Sequence, residues 1–439
     1  MEYINVIGGG LAGCEAAYFL ARHGAPVKLW EMRPTNNTPV HQTDRLAELV
    51  CSNSLKSEIE TTAQGLLKIE MRRLGSLLLE CAEMARVPAG SALAVDRDRF
   101  AALVTERIEK QSGIEIIRQE AVRLPDDEIC IVATGPLTSD DFAAYLRTVT
   151  GEESLYFFDA IAPSLTLESL NMDKVYKASR YGKGGDDYYN CPMDKEEYQR
   201  FYEELIAADI KEGHDVDRTH YFDSCMPVEV IARRGVDTLR YGPMRPVGLN
   251  RPDGTRPYAV LQLRQEDQEG RIFGLVGFQT RIKWGEQDRI FRLIPGLEEA
   301  AFVRYGSMHR NTYINSPFLL EPTLQMKSRP RILFAGQITG VEGYMESAAT
   351  GILAGINAWC LLKGRMPLII SDYTMLGSLV AFITSARPSL FQPVNANFGI
   401  LPPLEPMIKN KGERYFAYVE RARYALDKFS ELLLKELKY

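Results

Sequence analysis

No stretch of this 439-residue sequence approaches the ~20 apolar residues of a membrane span. The opening residues run straight into a strand-like segment and lack the charged region and cleavage site of a secretory leader. The seven cysteines (Cys14, Cys51, Cys81, Cys130, Cys191, Cys225 and Cys360) are odd in number and scattered, with no C-x-x-C pair. That argues against a disulfide framework or zinc ribbon and points to a reducing, cytoplasmic setting. Histidine is scarce; His41, His214 and His220 have no metal-ligand spacing, so no metal is assigned. The net charge of -6 carries no global signal for nucleic acid, and no repeat or low-complexity tract is visible.

What is present is globular: 45% apolar and 25% charged residues, enough chain for about two to four domains. Tyr3 to Ile7 reads as a buried strand and Gly8-x-Gly10-x-x-Gly13 as a tight turn. A helix follows through Glu15 to His23, and a second strand, Val27 to Trp30, ends at Glu31. Glycines there serve the turn, the approach to a pyrophosphate and helix–strand packing, and a carboxylate at that distance suits ribose hydroxyls. The candidate contacts are Gly8, Gly9, Gly10, Leu11, Ala12, Gly13 and Glu31. More than 300 positions later, LFAGQITGVEGYMESAATGILA repeats the device: an apolar strand, a loop with Gly336, Gly340 and Gly343, then a small-residue helix. A helix N-terminus offers unpaired N–H groups and the positive dipole end. Two such devices far apart suit FAD better than NAD, held by a domain that an insertion interrupts. Gly336, Gln337, Gly343, Tyr344 and Glu346 join the candidates, with Glu346 read as first-turn support against the dipole. Ile129 to Ala133 reads as another buried strand, ending in a small-residue turn with Gly135.

The expected architecture is α/β: a Rossmann-like FAD-binding domain from residues 1–136 and 326–439, with 372–439 as a helical tail. Residues 137–325, rich in tyrosine and glycine loops, form an inserted α+β substrate domain. Between the glycine turn and the insertion, one helix is expected over Glu58 to Arg86 and another over Val95 to Lys110. Cys81 falls on the apolar stripe of the first. Cys51 lies beside hydroxyls and an amide, a setting that suits a reactive thiol or a small buried residue. Met226 to Arg264 holds seven arginines against three acids, which suits RNA phosphates or a solvated basic face.

Several segments stand together in the order of one bacterial family: Gly8 to Gly13, Glu48-Leu-Val-Cys51-Ser-Asn-Ser-Leu55, His309-Arg-Asn-Thr312, Ala335-Gly-Gln-Ile-x-Gly-x-x-Gly-Tyr-x-Glu346 and Asn397-Phe-Gly. Over essentially its whole length the chain resembles the folate- and FAD-dependent tRNA (uracil-5-)-methyltransferases, relatives of the larger flavoproteins that modify the wobble uridine. The resemblance implies methylation of C5 of the T-loop uridine of tRNA. The carbon comes from 5,10-methylenetetrahydrofolate and the reducing equivalents from FADH2, replenished by NADH or NADPH. It further implies two catalytic thiols, with Cys225 the first choice as nucleophile and Cys51 as base or shield, though the two could exchange roles. His309, Arg310 and Tyr344 would neighbour the folate, and Arg233, Arg234 and Arg240 the RNA. No membrane and no obligate protein partner is implied. Three readings stay open: this methyltransferase, on tRNA or on a ribosomal RNA uridine; a flavin-dependent NAD(P)H oxidoreductase for a small molecule; and a flavin-containing RNA-binding protein.

Overall fold

The computed structural model describes residues 2–38, 40–151, 155–182, 185–210 and 226–438, with only the backbone described for 155–160 and 308–310. The opening residues form a strand, Ile4–Ile7, a helix, Leu11–Arg22, and a parallel strand, Val27–Trp30, in the register Ile4 to Val27 and Ile7 to Trp30. All four residues of the first strand are buried, which explains their continuous apolar run. Across the six-stranded sheet the order is Gln325–Met326, Arg329–Phe334, Cys130–Val132, Ile4–Ile7, Val27–Trp30, Ile114–Ile117. Only the first pair is antiparallel. Chain from beyond residue 325 therefore completes a sheet begun at residue 4.

The late helix Tyr344–Leu362 lies against the first helix. A Cβ on Gly351 would stand 2.2 Å from the Ala12 carbonyl oxygen, and one on Gly355 3.1 Å from the Ala16 Cα. Backbone meets backbone there, so only glycine fits at 351. This 19-residue helix is long and apolar enough to cross a membrane although Glu346, Ser347, Thr350 and Asn357 interrupt its apolar run; 89% of its most apolar stretch is buried inside the protein.

Residues 164–304 build a second, antiparallel six-stranded sheet: Tyr176–Lys177, Tyr188–Met193, Ala259–Gln265, Ile272–Leu275, Ser164–Thr166, Phe302–Arg304. Helices Lys195–Ala207 and Trp284–Phe291 cover it, and Tyr198, Phe201, Leu263, Phe273, Phe278 and Phe291 fill a core separate from that of the first sheet. Strands Leu155–Ile161 and Ser307–Tyr313 pair antiparallel and carry the chain into and out of this unit.

Two helix expectations change. The Glu58-to-Arg86 helix is two, Ala63–Arg73 and Leu77–Met84, broken where Gly75 takes φ +81°. The Ser76 hydroxyl accepts from Leu79 N–H and restarts the helix. The apolar stripe survives the break because both helices face one core, with Leu67, Met71, Leu78 and Cys81 fully buried. At the next helix Val95 closes a strand, Ala92–Val95; Asp96 caps Arg97–Lys110 by accepting from Arg99 N–H at 3.0 Å. The last helix, Lys411–Lys438, is as expected.

Candidate functional site

The glycine turn and the late loop face each other across one cleft. At Gly8, φ is +109° and a Cβ would strike the Ala133 carbonyl at 2.4 Å; at Gly10 a Cβ would meet nothing within 4 Å, so that backbone lies open to the cleft. Gly9 is crowded by Leu46 and by the Glu31 carboxylate, which accepts from Gly9 N–H at 3.1 Å. The other Glu31 oxygen accepts from the Arg33 backbone and guanidinium at 3.0 and 2.8 Å. Burial alone would raise the Glu31 carboxyl; the hydrogen bonds and charge of Arg33 outweigh it and hold the group below the usual carboxylate range. Glu31 is thus an ionised acceptor at the cleft wall, half committed to Arg33, a partner that spacing rules do not reveal.

Opposite the turn stand Gly135, Gly336 and Gln337, with Tyr344 at the start of the late helix. Gly135 and Gly336 take φ +68° and +81°. A mostly apolar cleft with open glycine backbone, a ribose-type acceptor and a helix N-terminus fits FAD. Gly13, Gly343 and Glu346 do not line it. Gly13 packs on the Gly8 carbonyl. Glu346, expected among the cofactor contacts, turns away from the cleft lining: it is 1% exposed and accepts from Ala396 N–H at 3.1 Å and the Lys56 ammonium at 3.2 Å. It ties the segment around Asn397 to the base of the helix.

The Tyr344 hydroxyl accepts from the backbone N–H of Cys51 at 2.8 Å and of Ser52 at 3.0 Å. The ring lines the cleft while its oxygen fixes the Cys51 loop. A second cleft opens between the two cores and shares Glu48 and Val50 with the first, so the thiol-bearing loop stands at their junction. Cys51 is half-buried. Cys14, Cys81, Cys130, Cys191 and Cys360 are buried, and burial pushes each of their thiols up, Cys81 to about 12 and Cys360 to about 11. Burial sets these five apart from Cys51; of them the sequence marked only Cys81, by its place on the apolar stripe. Cys225, with His214 and His220, lies outside the described residues.

His309 and Arg310 sit on the strand Ser307–Tyr313, which leads into both cleft loops: Thr312 N–H donates to the Pro136 carbonyl and Ile314 N–H to Ile338. Next to them Asn311 is fully buried, and neither polar atom of its side chain has a partner among the described residues. Arg233 and Arg234 are exposed and make no ion pair among the described residues. Arg240, expected to face RNA, is committed internally: its guanidinium lies 3.5 Å from the Tyr258 ring centroid, donates to the Tyr258 carbonyl and pairs with Asp237.

Residues 3–366 match the family model described as Glucose inhibited division protein A. A relative from Syntrophomonas wolfei is 65% identical over 435 residues, covering 99% of this chain and 100% of its own length. Relatives from Geobacter sulfurreducens and Bacillus pumilus are 55% and 52% identical, covering 97% and 98% of this chain and 98% and 100% of theirs. All three bear the name methylenetetrahydrofolate–tRNA-(uracil-5-)-methyltransferase TrmFO. Among solved structures, Aquifex aeolicus GidA superposes with a TM-score of 0.71 at 17% identity, over 100% of this chain and 76% of that one, a likeness of fold. With identity this high over nearly its full length, the chain belongs to the TrmFO family of methylenetetrahydrofolate–tRNA-(uracil-5-)-methyltransferases.

Proposed function

We propose that this protein transfers the one-carbon unit of 5,10-methylenetetrahydrofolate to C5 of the T-loop uridine of tRNA, in the cytoplasm, with bound FADH2 as reductant and NADH or NADPH regenerating it. Full-length likeness to the TrmFO relatives carries the reading. The glycine-lined cleft and the half-buried Cys51 beside it support it.

Uracil C5 is a weak nucleophile until a group adds at C6. In this reading the Cys225 thiolate forms a C6–S bond, and the electron pair released at C5 attacks the folate methylene carbon. Cys51 then takes the C5 proton as the bond from the one-carbon unit to the folate nitrogen breaks, releasing tetrahydrofolate and leaving an exocyclic methylene on C5; once that carbon is reduced, the C6–S bond breaks as the thiolate leaves. The reduced form of FAD, when bound, would supply the two electrons and the hydrogen that bring the one-carbon unit to the methyl level. Gly8 to Ala12, Glu31, Gly135, Gly336 and Gln337 hold that cofactor. The Tyr344 ring, with His309 and Arg310, holds the folate; the Asn311 amide on the same strand, unpartnered among the described residues, supports a ligand there, since a buried unpaired polar group is otherwise costly. The antiparallel unit over residues 164–304, narrower than the 137–325 insertion expected because Phe142, Leu146, Ile314 and Leu319 pack with the first sheet, receives the RNA, with Arg233 and Arg234 on its phosphates. The target uridine leaves its stack to reach the thiols.

Transfer RNA carrying tritium at uracil C5 tests this. Release of tritium that requires both methylenetetrahydrofolate and NAD(P)H, and that a ribosomal RNA hairpin does not elicit, is the expected result. NAD(P)H oxidation without tritium release would make the protein a small-molecule oxidoreductase, and tRNA binding with neither would leave an RNA-binding flavoprotein.

A further inference from the structure

The Cys51 loop is held from both cores. Tyr344 accepts its two N–H groups from the flavin side. From the other side comes Arg264, on the strand Ala259–Gln265 of the second sheet. Its Nε donates to the Asn53 side-chain oxygen at 2.8 Å and its Nη2 to the Ser52 hydroxyl at 3.2 Å. Asn53 is fully buried, and its amide nitrogen donates to the Val95 and Gln265 carbonyls at 3.0 and 2.9 Å. The guanidinium is therefore locked by a residue that cannot swing away.

Arg264 also lacks a carboxylate partner among the described residues. Glu266, two positions on, pairs with Arg97 at 2.7 Å and Arg304 at 3.5 Å and accepts from Ser164. Arginine does not lose its proton in proteins. A full positive charge thus stands partly buried, bonded only to neutral groups, at the residues that follow Cys51. Glu266 is the strongest of the groups that act on it through space, followed by Tyr188, Arg97 and Cys51.

We propose that Arg264 is a positioning residue for the reaction: it fixes the Ser52–Asn53 turn and favours the thiolate form of Cys51, the thiol proton leaving to solvent. The role rests on the methyltransferase reading, in which Cys51 works as a thiolate whether it acts as base or as nucleophile. It also gives the inserted unit a direct hold on a group in the flavin half.

Alkylation of Cys51 by iodoacetamide, followed by peptide mass mapping in the full-length flavoprotein, tests the charge without needing turnover. Arg264→Gln is expected to slow alkylation at pH 7 about tenfold, the effect of one nearby opposite charge on thiol ionisation. The difference should vanish at pH 10, where the thiol ionises in both proteins. Arg264→Lys, which keeps the charge, is expected to stay within about threefold of the unsubstituted protein at pH 7. Flavin absorbance and thermal midpoint report folding, and Arg264→Met, which keeps the stem, replaces the Gln variant if that does not fold. Equal rates at pH 7, or slowing of the same size at pH 7 and pH 10, would overturn the proposal. The tritium assay on the unsubstituted protein separately decides the methyltransferase reading, so either can fail alone.

Discussion

Replacing Tyr344 with phenylalanine separates two jobs that one side chain performs. The ring stays in the cleft wall, so the stacking proposed for it is kept, while the acceptor for Cys51 and Ser52 N–H is removed. Leaving one buried donor unsatisfied costs about 1–3 kcal/mol. Both residues are half-buried and water can partly replace the oxygen, so about 2 kcal/mol for the pair is reasonable. At ~1.4 kcal/mol per factor of ten, opening of the loop becomes roughly thirtyfold more frequent. Hydrogen–deuterium exchange read on a peptide spanning residues 50–54 should show that acceleration, with the peptide at 4–7 unchanged and flavin content near normal. Methylation should fall while the Michaelis constant for folate holds. Unaltered exchange at 51 and 52 would refute the anchoring argument; loss of flavin or folate affinity would show that the hydroxyl, not only the ring, contacts a ligand.

Glu15 and Glu70 are buried carboxyls that each hold the start of a different helix. Glu15 accepts from Leu77 and Leu78 N–H and from the Ser76 hydroxyl, and Glu70 accepts from Met375 and Leu376 N–H. Burial outweighs those hydrogen bonds and pushes both carboxyls up to about 7. The folded protein therefore holds protons that the unfolded chain has already released, and stability should fall as pH rises from about 4.5 to 7, by on the order of 3 kcal/mol per group. Glu15→Gln with Glu70→Gln should flatten urea midpoints across that window; parallel curves would contradict the assignment. Arg233→Ala with Arg234→Ala should lower the slope of log affinity for tRNA against log salt by about two, leaving flavin loading intact; an unchanged slope removes them from the RNA face. Gly10→Ala and Gly351→Ala should part company. The first adds a methyl to open cleft, so the protein folds and binds FAD at least about tenfold more weakly. The second drives a methyl into the Ala12 carbonyl and should yield little soluble protein. Equal flavin content in the two soluble fractions would argue against both.

The sheet around Ile4–Ile7 was legible because its strands are short, apolar and punctuated by glycines whose roles follow from geometry. The late glycine segment was legible for the same reason. The break at Gly75 was harder to see, since the apolar stripe runs on across it and a lone glycine inside a helical pattern can be tolerated. At the site, the facing of Gly8–Ala12 and Tyr344 followed from the repeated strand–loop–helix device. What sequence withheld was which polar groups serve structure. Arg240, Glu346 and half of Glu31 are engaged by neighbours distant in sequence or too close for a spacing rule to weigh. Arg264 looked like one more member of a basic stretch, and only the fold turns it inward.

The interruption of the first sheet also sets an order of assembly. Cys130–Val132 must wait for Arg329–Phe334, about two hundred residues later, and the helix that closes the glycine turn starts only at Tyr344. The antiparallel sheet between them has its strands within residues 164–304 and its own core. During synthesis that middle unit has all its strands before the flavin half is complete, and long-range pairing is the slow step. The nascent chain thus carries an unfinished nucleotide fold, with its glycine turn uncovered, until most of the polypeptide has been made.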